Sequence, residues 1–151
     1  MMHAVTVGAR GRLLVLAAGL LLAPAGRLAA QSAAPEEQRA AMAQTVLDQL
    51  AAFRRGDWEA AYGFASQSIQ GQFTPEAFRQ MVSRGYAPIA RSASARVLRT
   101  EVADPQHGYV EVRVRGQDGD TIDALYELVL EPGGWRISGV LTKPVDPGEV
   151  I

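Results

Sequence analysis

The chain contains no cysteine. That absence removes disulfide frameworks, thiolate nucleophiles, cysteine-ligated zinc and a lipidated N-terminal cysteine from consideration. Histidine is almost as scarce, with 2 in 151 residues, too few for a multi-histidine metal centre. An excess of one charge is missing too: 15 Lys plus Arg stand against 16 Asp plus Glu. No basic stripe is therefore available for a nucleic-acid backbone or an anionic membrane. What remains is an ordinary apolar fraction, 48%, sufficient at this length for one folded domain.

Residues 13–23 form an apolar run preceded by Arg10 and Arg12 and followed by Pro24, Gly26 and the small pair Ala29-Ala30. A basic start, a short apolar segment and small residues at its exit make the pattern of a secretory leader, and the run is too short to cross a hydrocarbon core of ~30 Å. We expect residues 1–30 to be a signal peptide cleaved near Ala30, leaving no stable membrane anchor and a periplasmic or secreted protein. Cleavage takes Arg10, Arg12 and Arg27 with it, so the mature chain is net acidic, and nucleic acid is not an expected partner. Residues 31–34 are expected to be a mobile lead, 35–144 a single domain and 145–151 a C-terminal tail.

The domain opens with Pro35-Glu36-Glu37, a proline where a helix needs no N–H and two carboxylates beside the positive helix end. Met42, Val46, Leu50 and Phe53 then recur at helical spacing until Arg54-Arg55-Gly56 supplies cations and a left-handed-capable stop. Asp57 caps a short second helix with Trp58, Ala61, Tyr62 and Ala65 on one stripe. Ser66 to Phe73 reads as an irregular connector. Thr74-Pro75-Glu76 opens a third helix with Phe78, Met81 and Val82 on its apolar face and Gly85 at its stop, and Tyr86-Ala87-Pro88 ends the helical half.

From Arg91 the period changes to two. Residues 96–103 read as a strand ended by Asp104-Pro105, Tyr109–Arg115 and Thr121–Glu131 alternate, and Trp135, Ile137, Gly139 and Leu141 carry a last strand before Pro144. Matching apolar faces sets the register. Val114 opposes Ile122, Val112 opposes Ala124 and Val110 opposes Tyr126, around a three-residue loop whose third position, Gly119, takes positive φ. Arg113 then faces Asp123 and Tyr109 faces Glu127 on the outer side. In the next hairpin Leu130 pairs with Trp135, Leu128 with Ile137 and Tyr126 with Gly139. The fold class is α+β, with three N-terminal helices packed on an antiparallel sheet of about four strands.

The run Ala52-Phe53-Arg54-Arg55-Gly56-Asp57-Trp58-Glu59-Ala60-Ala61-Tyr62, the positions Ile69-Gln70 and Phe73, and the segments Phe78-Arg79-Gln80-Met81-Val82 and Gly85-Tyr86-Ala87-Pro88 resemble a bacterial family known as domain of unknown function 4864. That family looks like part of the nuclear transport factor 2-like (NTF2-like), cystatin-like superfamily, and Gly133-Gly134-Trp135-Arg136-Ile137 is similar to its last-strand entry. The resemblance implies a curved sheet wrapped over a long first helix, a cone able to hold a cavity. It implies no activity and carries no catalytic residue onto this chain.

Candidate chemistry is sparse. His107 sits in the turn Asp104-Pro105-Gln106-His107-Gly108, and no Gly-x-Ser-x-Gly turn exists to present a serine to it. Asp118-Gly119-Asp120 lacks the spaced ligands of a calcium loop and reads as a turn. Glu111, Asp123 and Glu127 fall by parity on the outer face as solubilising charges. No metal, cofactor or catalytic residue is assigned. The aromatic and sulfur set offers more: Tyr62, Phe78, Met81, Tyr86 and Tyr126 are the candidate lining of a pocket for a small apolar ligand. The expectation is an exported non-enzymatic binding or assembly module. The alternatives are a small-molecule isomerase or lyase working in the cone, and a homodimer formed through the outer sheet face with Tyr109 and Val140.

Overall fold

A computed structural model describes residues 34–149. The expected leader, residues 31–33 of the lead and residues 150–151 of the tail lie outside the described residues. No described helix is long and apolar enough to cross a membrane.

Helix α1, Pro35–Arg54, starts at the expected proline with Glu36 and Glu37 in its first turn. Met42, Val46 and Leu50 are fully buried and Phe53 nearly so, one stripe at steps of three and four residues. The helix ends in a Schellman arrangement: Gly56 has φ +70°, its N–H donates to the Phe53 carbonyl, and Asp57 N–H donates to the Ala52 carbonyl. Asp57 caps α2 (Trp58–Gly63) by accepting from Ala60 N–H. The stretch expected to be irregular instead holds α3, Gln67–Gln72, capped by the Ser66 hydroxyl, which accepts from Ile69 N–H. A six-residue helix is too short to declare a period, and its cap was its one local signal. Thr74 caps α4 (Pro75–Gly85) as expected, but the helical half runs on through one more turn, α5, Ala87–Ala90.

Four strands follow in the order β1-β2-β3-β4, all antiparallel. Strand β1, Ser92–Asp104, is longer than expected and carries three register shifts against β2, His107–Gly116. These shifts explain why its alternation was broken in the sequence. The β2–β3 hairpin (β3, Thr121–Glu131) has the expected register throughout, with Gly119 at φ +95°.

Against β4 (Gly134–Pro144) the expected pairs Leu130 with Trp135 and Leu128 with Ile137 form. The third pair does not. A bulge at Ser138 inserts one residue, so Gly139 faces Glu127 and Tyr126 faces Val140. The bulge reverses parity on β4 and turns Val140 inward. Val140 packs against the core cluster and is not part of an outer-face patch. Beside β4, Ala65 forms an isolated parallel bridge to Ile137: Ser66 N–H donates to the Ile137 carbonyl and Ile137 N–H to the Phe64 carbonyl. The α2–α3 junction is thereby stitched to the sheet edge.

Helix α1 packs along β1 and reaches β2 and β4. Val110, Val112, Val114, Ala124 and Leu128 present fully buried side chains to the helical layer, each large one worth about 1.5–3 kcal/mol of burial.

The outer face is less wet than expected. Asp123 is buried, because β3 is a central strand and Asp123 lies between Arg113 on β2 and Lys143 on β4. Arg113 grips it bidentately, Nε to Oδ1 at 2.8 Å and a terminal nitrogen to Oδ2 at 2.9 Å. Hydrogen bonding by this guanidinium holds the Asp123 carboxyl below its ordinary range against the opposing effect of burial.

Candidate functional site

Between the helical layer and the far end of the sheet lies a cavity of about 380 Å³. Helix α1 contributes Gln49 and Phe53, α3 and its end contribute Ile69 and Phe73, and α4 contributes Phe78 and Met81. Tyr86 and Ile89 close it at the α4–α5 junction, and Tyr126, Ile137 and Val140 form the sheet wall. No Asp, Glu, His, Lys or Arg lines it. The Ser138 bulge shapes this wall, since it places Val140, and not a bare glycine, opposite the Tyr126 ring.

Phe78, Met81, Tyr86 and Tyr126 are brought together here as the sequence suggested; Tyr62 is not. The Tyr62 hydroxyl is turned away to backbone acceptors, the Phe73 carbonyl at 2.7 Å and the Gln70 carbonyl at 3.1 Å. Its ring braces the edge of Phe78 with centroids 5.4 Å apart. Gln70 Nε2 in turn lies 3.1 Å from the carbonyls of Tyr62 and Ala65. Tyr62 therefore supports the wall from behind, its apolar stripe having fixed a side of the helix but not a destination for the hydroxyl. Phe53 stacks on Phe78 at 6.2 Å and tilts against Trp58 at 5.2 Å, with Arg79 over the Trp58 ring at 5.4 Å.

Of the polar side chains in this wall, Gln49, Tyr86 and Tyr126, the first and last are deeply buried. Gln49 is 4% exposed, and its Nε2 donates to the Ala61 carbonyl at 3.1 Å, which fixes the amide's orientation. Sequence reasoning missed Gln49, although a glutamine within the apolar stripe of α1 was a visible irregularity. Tyr126 is 1% exposed. Its hydroxyl is the sole buried side-chain polar atom among the described residues without a hydrogen-bond partner. Burial pushes this phenol well above its ordinary pKa of 10.0, so it stays neutral at physiological pH and keeps its proton to donate.

The other candidates are structural. Asp104 accepts from the N–H groups of Gln106 and His107 and meets His107 Nδ1 at 2.9 Å. These bonds, the Gln106 N–H foremost, lower its pKa and hold the β1–β2 turn. Asp118 Oδ1 accepts from Asp120 N–H within the β2–β3 turn. Among the described residues no three His, Asp or Glu side chains converge as a metal site would require.

Residues 35–148 match the family profile described as "Domain of unknown function (DUF4864)". Among solved structures the chain is similar to an NTF2-like protein of unknown function from Silicibacter pomeroyi DSS-3, with TM-score 0.55 and 17% identity over 75% of this chain and 100% of that one. It is also similar to a protein from Novosphingobium aromaticivorans provisionally assigned as an aromatic ring hydroxylase, with TM-score 0.50 and 14% identity over 76% of this chain and 94% of that one. At such identities the likeness is one of fold. No curated protein matches the chain.

Proposed function

Because this chain belongs to the domain of unknown function 4864 family and has an NTF2-like α+β fold, we propose that it is an exported, non-enzymatic module that binds a small, mostly apolar molecule inside the cone. The observation that carries this reading is the cavity itself: about 380 Å³, walled by aromatic and aliphatic side chains with two buried polar groups. Sites for small ligands have this make-up, an apolar enclosure with few oriented polar atoms. The isomerase or lyase alternative has less support. Proton abstraction needs a base held within reach of the substrate, and the lining offers no carboxylate or imidazole. Tyr126, with its pKa raised by burial, is a poor base. Export rests on the N-terminal pattern of residues 10–30, which the described residues do not include.

The reading is tested by purifying the full chain from a native-like exporting host, extracting it with organic solvent and identifying co-purified molecules by mass spectrometry. In parallel, binding of fluorene-sized hydrocarbons is measured by equilibrium dialysis. A stoichiometric apolar ligand, or dialysis binding abolished by filling the cavity with Val140→Trp in a folded variant, is the expected result. Turnover of a bound compound in proportion to enzyme concentration would overturn the non-enzymatic reading, and a cavity that takes nothing would overturn binding.

A further inference from the structure

We infer that this cavity selects small apolar alcohols and phenols whose hydroxyl donates to the side-chain carbonyl oxygen of Gln49, which makes Gln49 the specificity-determining residue; the inference rests on the binding role proposed above. Gln49 lies among the buried lining residues Phe53, Phe78 and Tyr126, whereas Ile69, Phe73, Met81 and Tyr86 are only partly buried and stand toward the open side. Chemistry settles the orientation of its amide. The Ala61 carbonyl can only accept, so the nitrogen is the atom 3.1 Å from it, and Oε1 is left as an acceptor. Among the described residues nothing donates to Oε1. Nor is this oxygen sealed in protein. The Tyr126 hydroxyl is the sole closed-off side-chain polar atom without a partner among the described residues, so Oε1 keeps open surface. For a residue 4% exposed that lines the cavity, that surface belongs to the cavity. A hydrocarbon that fills this end strips Oε1 of water and returns nothing, whereas a hydroxyl in the same place restores the hydrogen bond. A ketone is no better than the hydrocarbon, because two carbonyl oxygens cannot pair. Charged guests are disfavoured as well, since no Asp, Glu, His, Lys or Arg lines the cavity to meet them.

The test uses the full chain and three probes of one ring system, fluorenol, fluorenone and fluorene, compared by equilibrium dialysis. Wild type is expected to bind fluorenol about 10-fold tighter than either fluorenone or fluorene. Gln49→Met supplies an unbranched side chain of similar length without the acceptor, and the Ala61 carbonyl keeps the Phe64 N–H as a donor. In that variant, shown folded by circular dichroism, the three probes should bind alike, and fluorene at least as tightly as to wild type. A variant-free measurement stands beside it: the side-chain carbonyl carbon of Gln49 should resonate further downfield with fluorenol bound than with fluorene bound, as a carbonyl that accepts a hydrogen bond does. Fluorenol bound no tighter than fluorene or fluorenone, or coincident carbon resonances, overturns the inference while leaving apolar binding intact. A fluorenol preference that persists in Gln49→Met overturns it too, and moves the hydroxyl's partner to Tyr86, the polar lining residue at the open side. If none of the three binds, the binding role fails and the inference fails with it.

Discussion

Replacing Tyr126 by phenylalanine should stabilise the ligand-free protein. The ring is 1% exposed and its hydroxyl has no hydrogen-bond partner, so folding strips that group of water and returns nothing. The cost of an unsatisfied buried hydroxyl is about 1–3 kcal/mol. Removing the oxygen leaves a void of atomic size, worth only a few tenths of a kcal/mol at about 24 cal/mol per Å³. The net gain is about 1–2 kcal/mol, which for a domain of this size raises Tm by roughly 3–10 °C. Thermal melts followed by circular dichroism give the number. A second readout comes from pH. The folded-state pKa of Tyr126 lies above its unfolded value of 10.0, so the wild type keeps its full stability below pH 10. It loses stability as pH rises above that, because only the unfolded chain then releases the proton. Phenylalanine has no such proton, and the Tm gap between variant and wild type should widen above pH 10. A loss of more than about 2 kcal/mol in the variant would mean that the hydroxyl sits in a hydrogen-bonded network, and the account of the cavity wall would be wrong.

Asp123→Asn should flatten the acid limb of the stability profile. The Asp123 pKa is lowered by Arg113 below its ordinary 3.8, so its contribution is present above that value and lost as pH falls through the folded pKa; melts from pH 7 to pH 2 that superimpose in shape for the two proteins would refute this. Gly108→Ala should destabilise by about 1–3 kcal/mol, measured by urea unfolding, because a Cβ there runs into Met42 Sδ and lies 2.8 Å from the Glu101 carbonyl oxygen; an unchanged midpoint would refute it. Gly119→Val should cost about 1–2 kcal/mol. Nothing lies within 4 Å of a Cβ at Gly119, so any loss reflects φ +95° alone, and an unaltered Tm would count against the strained turn.

The sequence was most legible where each residue had a local reason for its place. Val110, Val112 and Val114 alternate without a fault, and Gly119 stands where the turn needs it, so the whole β2–β3 register could be read. Its neighbours were harder. The Ser138 bulge leaves no mark in composition, and because face assignment propagates by parity, one inserted residue moved both Gly139 and Val140 to the wrong side. The three shifts in β1 hid its first residues in the same way. Four of the five proposed lining residues reach the cavity because helical stripes and strand faces point toward a common interior. Tyr62 does not, because carbonyls at the end of α3 claim its hydroxyl, and α3 itself was not anticipated. Parity likewise put Asp123 on the outer face. It could not say that Asp123 would be buried on a central strand in a bidentate pair with Arg113.

These misreadings share a cause that bears on what the cavity can do. Alternation and helical stripes report which side of an element is apolar, while the chemistry of a pocket depends on where individual polar atoms come to rest. Polar side chains of the buried layer found partners on folding: the Tyr62 hydroxyl found the Phe73 carbonyl, Gln49 Nε2 the Ala61 carbonyl, and the Ser66 hydroxyl the Ile69 N–H. Tyr126 did not. A buried hydroxyl without a partner costs stability, and it belongs to a residue of the cavity wall. A plain core position would be filled as well or better by phenylalanine. The stability gained by Tyr126→Phe is therefore a direct measurement of one unpaired oxygen.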